Sequence, residues 1–180
     1  MSFAPIEDIL QCPEQPFENG ETNSWNIIEE QLRTELPDDY KKFIQSFGTG
    51  TINEFLFILN PFSVNQYVNL LKRGQIEREA YMTSKTNFPK YYVDDVFPTV
   101  GGLLPFGVTD NSEVLYWRTL GMPKHWIVTV YESRGPKHIT FESTMIGFLS
   151  GILSGTLNCE VLPNSFIKTK PTFTAIKVNP

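Results

Sequence analysis

The stretch Leu36-Pro37-Asp38-Asp39-Tyr40-Lys41-Lys42-Phe43-Ile44-Gln45-Ser46-Phe47-Gly48 constrains this chain most, because it carries a helix together with its start and its stop. A proline disfavours the helical conformation in the residue before it and suits the first helical position itself, so Leu36-Pro37 marks a beginning. Asp38 and Asp39 then put negative charge where the helix dipole is positive. Tyr40, Phe43, Ile44 and Phe47 recur at i, i+3, i+4 and i+7, which gathers them on one apolar face. Gly48 supplies the left-handed residue that ends the helix. A face of four large apolar side chains has to be covered by a second layer.

The rest of the chain provides one. Upstream, residues 3–10 read as a short helix, followed by a loop with Pro and Glu. Trp25, Ile28 and Leu32 fall at i, i+3 and i+7 of a second helix that Asn23 or Ser24 could cap, and so short a link to the next helix predicts a helical hairpin. Phe55 to Leu59 is a continuous apolar run, as in a buried strand, and Asn60-Pro61 breaks it. Ser63 with Gln66 has capping-box spacing, and Val64, Tyr67, Val68 and Leu71 form another helical stripe. Residues 81–101 hold Pro89, Pro98 and Gly101 without a clean period and read as a long irregular connection. Leu104-Pro105-Phe106-Gly107 reads as a turn opening onto the strand 113–118. Alternation over 125–132 and 137–141, with turns at 109–112 and 133–136, then predicts an antiparallel meander. Ser143 is placed to cap a last helix with Ile146, Leu149 and Leu153, and 172–178 reads as a strand or a docked tail. The expected fold is α+β: one domain, a helical layer on a mainly antiparallel sheet.

Charge is unevenly spread. The net charge is −5, but residues 1–40 carry −9, residues 41–133 carry +1 and residues 134–180 carry +3. An acidic N-terminal third repels a phosphate backbone and attracts a basic partner, so no nucleic-acid binding is expected. No run approaches the length of a membrane span, and the N-terminus lacks the basic and apolar regions of a signal peptide. Cys12 and Cys159 are therefore expected to be free thiols in a cytoplasmic protein.

Reactive constellations are missing from the pattern. His125 and His138 each sit beside a lysine at the start of an expected strand, which suits a solvated side chain. No His/Cys spacing of a zinc site occurs, and no Gly-x-Ser-x-Gly elbow or Gly-x-x-x-x-Gly-Lys loop. Gly48-Thr49-Gly50 follows a helix instead of leading into one, so it is no phosphate cradle. The expectation is a non-enzymatic protein without metal or cofactor.

The capped helix 36–48, the Leu104-Pro105-Phe106-Gly107 segment with its Asp/Asn turn and strand to Trp117, and the helix after Ser143 occur in an order that resembles the SUKH superfamily. That superfamily includes bacterial immunity proteins and fungal regulators of cell-wall synthesis. The resemblance covers 23–155, with 1–22 and 156–180 as N- and C-terminal extensions. It implies an immunity protein that neutralises the toxin domain, such as a basic nuclease, of a polymorphic or contact-dependent toxin system. The alternatives are an intracellular scaffold or regulator and, from another class, a small-molecule hydrolase. On strand 113–118 one of the two adjacent aromatics should face inward and the other outward, with Trp117 inside and Tyr116 exposed. Candidate partner contacts are then the acids and tyrosines of loops and strand ends: Asp38, Asp39, Tyr91, Tyr92, Asp94, Asp95, Asp110, Glu113 and Tyr116. The segment from Tyr91 to Asp95 is the foremost of these.

Overall fold

The structure, a computed structural model, describes residues 5–20, 22–168 and 170–176. In chain order the helices are α1 (Ile6–Ile9), α2 (Thr22–Leu32), α3 (Asp38–Phe47), α4 (Leu70–Asn87), α5 (Met145–Leu153) and α6 (Asn164–Lys168). The strands are β1 (Gly50–Ile52), β2 (Leu56–Ile58), β3 (Leu103–Thr109), β4 (Val114–Arg118), β5 (Ile127–Tyr131), β6 (His138–Phe141) and β7 (Phe173–Ala175). All seven strands join one antiparallel sheet in the order β6-β5-β4-β3-β2-β1-β7. The α+β expectation and the meander of β4, β5 and β6 hold.

The predicted helix forms as α3, with Tyr40, Phe43, Ile44 and Phe47 all buried. Gly48 closes it at φ 69°, and a Cβ there would lie 2.1 Å from the Phe17 carbonyl oxygen, so only glycine fits. Pro37 stands one residue earlier than expected, at the N-cap. The Tyr40 hydroxyl donates to the Leu59 carbonyl at 2.6 Å, and its ring meets Trp117 edge-on at 5.0 Å. The link to α2 is made by Glu29, whose carboxylate accepts from the Leu36 amide and from Lys41 Nζ, at 2.8 and 2.9 Å. Asp39 ties α3 to α5 by accepting from the Ile146 amide.

Cross-strand register sorts the sheet's side chains to two faces. Leu115, Trp117, Val128 and Val130 turn toward α3 and α5, while Tyr116, Thr129 and Tyr131 turn toward α4. Helices thus cover the sheet on both sides, and Tyr116 is as buried as Trp117, at 3% and 0% exposure. The expected outward Tyr116 is corrected by α4, which runs over Leu70–Asn87 and not over the helical stripe expected at 64–71.

Other boundaries move for local reasons. α2 starts at Thr22, so Asn23 and Ser24 lie inside it, and it stops at Arg33, which takes φ 57°. Of the expected first helix, Ile6–Ile9 is helical and residues 3 and 4 lie outside the described residues. Ser63 caps no helix, its hydroxyl accepting from the Asn65 amide in a turn: Asn69 is the N-cap of α4, accepting from the Leu71 and Lys72 amides, while Val64 and Tyr67 are exposed before it. α4 also takes residues 81–87 out of the expected irregular segment. The Leu104-Pro105-Phe106-Gly107 turn is instead part of the buried strand β3, whose register against β4 shifts between Pro105 and Gly107. A bulge is where a strand tolerates proline. β1 emerges from the Gly-Thr-Gly stretch, turned into β2 through Asn53 and Glu54 at positive φ. Thr144, not Ser143, caps α5. β7 realises the expected C-terminal strand and pairs with β1, although residues 177 and 178 lie outside the described residues.

The core predicts its own test. Phe43 is 1% exposed and stacks on Phe47 at 4.6 Å. Phe43→Ala should cost about 3–5 kcal/mol in urea unfolding, and an unchanged midpoint would contradict this packing.

Candidate functional site

The sequence candidates around residue 92 converge at the C-terminal end of α4, on the sheet face that α4 covers. Tyr81 from α4, Tyr116 from β4 and Tyr131 from β5 pack edge to face, with ring centroids 5.3 to 6.2 Å apart. Tyr92 joins them from the segment after α4, stacked parallel to Tyr131 at 6.3 Å and edge-on to Tyr81 at 5.5 Å. His138 stacks on Tyr131 from the β6 side at 4.4 Å.

Asp94 is the hub. Its side chain is only 11% exposed, and its carboxylate accepts from Arg118 Nη2 at 2.7 Å and from the Tyr131 hydroxyl at 2.5 Å. Tyr131 and Tyr81 share a further hydroxyl contact at 3.2 Å. Lys85, in the last turn of α4, donates to the Asp94 carbonyl and to Asp95 Oδ1, both at 2.7 Å. Two acids and two bases thus pin the segment to α4 and to the end of β4.

The electrostatics of Asp94 and Tyr131 suit holding. Burial alone would raise the Asp94 carboxyl, but the hydrogen bonds from Tyr131 and Arg118 outweigh it and leave its pKa below the ordinary value. Burial first, then the bond to charged Asp94, pushes the Tyr131 phenol far up, and burial does the same to Tyr116. The Tyr131 phenol thus stays protonated and the Asp94 carboxylate ionised, which fixes Tyr131 as the donor. Among the described residues no group of three or more His, Cys, Asp or Glu side chains is placed to hold a metal ion. Cys12 and Cys159 are both free thiols.

What this scaffold exposes is a turn. Tyr91 and Tyr92 amides both donate to the Phe88 carbonyl, and Phe88, Tyr91 and Val93 are 58%, 61% and 62% exposed. A partner can meet these side chains, while Tyr92 and Asp94 behind them are committed inward. The other sequence candidates separate. Asp38 is exposed at the start of α3, and Asp39 is engaged with α5. Both belong to the layer on the opposite face of the sheet. Asp110 is exposed on the β3–β4 turn, but Glu113 beside it is buried, its carboxylate taken by the Thr109 hydroxyl. Glu113 and Tyr116 are therefore not available as contacts. Sequence reading missed Phe88, Val93 and the anchors Lys85, Arg118 and Tyr131. An arginine closing an apolar strand was the one visible signal, since a guanidinium held against buried surface needs an acid nearby.

Replacing the hub has a signed pH consequence. A carboxyl whose folded pKa lies below its unfolded value stabilises above that unfolded value, near 3.8, and the contribution fades as pH falls through the folded pKa. Asp94→Asn should cost about 1.5–3 kcal/mol at neutral pH. The difference from the natural chain should shrink in acid, and a gap that stays constant or widens below the carboxyl range would contradict the assignment.

The family comparison agrees with the fold. The SUKH_6 family model, described as SMI1-KNR4 cell-wall, matches residues 22–149. That span runs from the first residue of α2 into α5 and takes in α3, α4, the sheet from β1 to β6 and the Asp94 hub. No curated protein and no solved structure matches. With most of its length under one family model and the α+β fold in place, the chain belongs to the SMI1-KNR4 family of the SUKH superfamily.

Proposed function

We propose that this protein is a non-enzymatic immunity protein that captures the toxin domain of a polymorphic or contact-dependent toxin system, acting as a stoichiometric binder in the cytoplasm. The observation that carries the reading is the turn over 88–93. Its exposed Phe88, Tyr91 and Val93 stand on a segment that Asp94 and Lys85 fix from behind. A rigid aromatic surface loses little entropy on binding, and aromatic anchors dominate the energy of protein interfaces. No helix among the described residues is long and apolar enough to cross a membrane.

The turn itself is not acidic. Asp94 and Asp95 are matched there by Arg118 and Lys85. The charge that would favour a basic toxin lies on the N-terminal third, on exposed residues such as Glu7, Asp8, Glu30, Glu35 and Asp38. In this reading those acids accelerate encounter, whereas the aromatic turn holds the partner. The Asp94 carboxylate contributes by shaping the turn, so reversing its charge would disturb the fold as well as the surface.

The family description also accommodates a regulator of cell-wall synthesis, and gene neighbourhood separates the two. An immunity gene sits directly beside a large secreted-toxin gene. Co-expression with the toxin domain encoded there provides the test. A Phe88→Ser/Tyr91→Ser variant should lose protection and at least about 2 kcal/mol of binding while unfolding at the natural temperature. Full protection by that variant, folded and at equal expression, would place the interface elsewhere.

A further inference from the structure

A second surface lies toward the other end of α4. Gly74 stands about 20 Å along the helix axis from Phe88, and beside it a groove of about 750 Å³ opens between the end of α2, the first turns of α4 and residues 97–105. Its walls include Leu71, Pro105 and Trp126. The absence of a side chain at Gly74 leaves room over Pro105, whose Cγ lies 3.6 Å from where a Cβ would stand.

Charge in this groove is of one sign. Arg33 and Arg78 are the ionisable side chains in its wall. Both are exposed, and neither forms an ion pair among the described residues, whereas Arg73 and Arg118 are paired with Glu77 and Asp94. In a chain of net charge −5, two unmatched guanidinium groups beside an apolar floor mark a local reversal. The mouth continues the apolar surface. Val100 is 80% exposed on the wall, and Leu120 and Met122 are 66% and 57% exposed on either side of Gly121. Leu120 Cδ1 comes within 3.8 Å of the Cβ position at Gly101, joining the two strips into one rim.

We propose that this groove binds an extended segment of a partner protein that combines apolar side chains with a carboxylate, the carboxylate being met by Arg33 and Arg78. Guanidinium groups present planar pairs of donors that match a carboxylate. A small molecule filling the cavity would leave the three rim side chains wet, whereas a peptide chain crossing the mouth covers them. A polyanion such as nucleic acid is opposed by the net negative charge. This surface is separate from the 88–93 turn and does not depend on the function proposed for it.

Short random peptides displayed in a library and selected against the whole protein would test this, with selected sequences synthesised and their affinities measured by fluorescence anisotropy. The selected peptides should pair aliphatic or aromatic residues with Asp or Glu. Arg33→Glu/Arg78→Glu should weaken them by about tenfold or more, and Val100→Asp should weaken them as well. Arg33→Lys/Arg78→Lys should keep part of the affinity, and Phe88→Ser/Tyr91→Ser should keep all of it. Selected peptides that lack acids, or that bind the charge-reversed protein as tightly as the natural one, would overturn the proposal. So would failure to select any binder, or loss of binding in the Phe88→Ser/Tyr91→Ser variant. Sedimentation showing a dimer that Val100→Asp dissociates would also overturn it, because the groove would then be filled by a second copy of the chain.

Discussion

Strand β4 lies inside the sheet, between β3 and β5, and has to satisfy two dry faces at once. Trp117 is enclosed by Tyr40 from α3 and by Phe106, stacked at 4.7 Å, while its neighbour Tyr116 is enclosed by Tyr81 and Tyr131. An antiparallel strand usually alternates between core and water, but one covered by helices on both sides cannot. What the middle of the sheet could offer a partner is therefore displaced to its turns and ends. That constraint turns attention from the aromatic strand to the segments that pass around α4.

One such segment is shaped by the need to neutralise charge. Arg118 ends β4 half-buried, and Asp94 is buried more deeply still. Either group alone would be strongly unfavourable in that position, so each requires the other, and Tyr131 supplies a third contact that fixes the carboxylate's orientation. A buried pair of this kind contributes more to geometry than to net stability. Its result is a segment whose Asp94 and Tyr92 are spent inward and whose Phe88, Tyr91 and Val93 remain outside. The function proposed for the family member at hand follows from what is left exposed.

How much was legible follows the same physics. α3 could be read to within one residue because start, stop and face are all local signals between Leu36 and Gly48. The meander could be read because its strands alternate and the turns at 109–112 and 133–136 are short and polar. α4 could not: its buried residues are Leu70, Gly74 and Tyr81, while Ile76 and Met82 are exposed, so its apolar positions trace no clean stripe. β3 hid behind Pro105 and Gly107, which signal a turn locally and a bulge only in the company of β4. The site was half legible. Tyr91 and Asp94 stood out as aromatic and acidic residues in a long connection, but Asp94's partners lie 24 and 37 residues away, and nothing local announces them. Tyr116 and Glu113 were misplaced because exposure was inferred from alternation and turn position, and both depend on neighbours far along the chain.

If Asp94 holds the 88–93 turn in its binding shape before any partner arrives, the backbone there should report it. Hydrogen exchange at the amides of Tyr91, Tyr92 and Phe97, which donate to the Phe88 and Leu103 carbonyls, can be compared between the natural chain and Asp94→Asn. The anchored turn predicts protection at these amides in the natural protein. It also predicts loss of that protection in the variant, with the β4 and β5 amides still protected. Free exchange at these positions in the natural protein, or protection indifferent to Asp94→Asn, would contradict it.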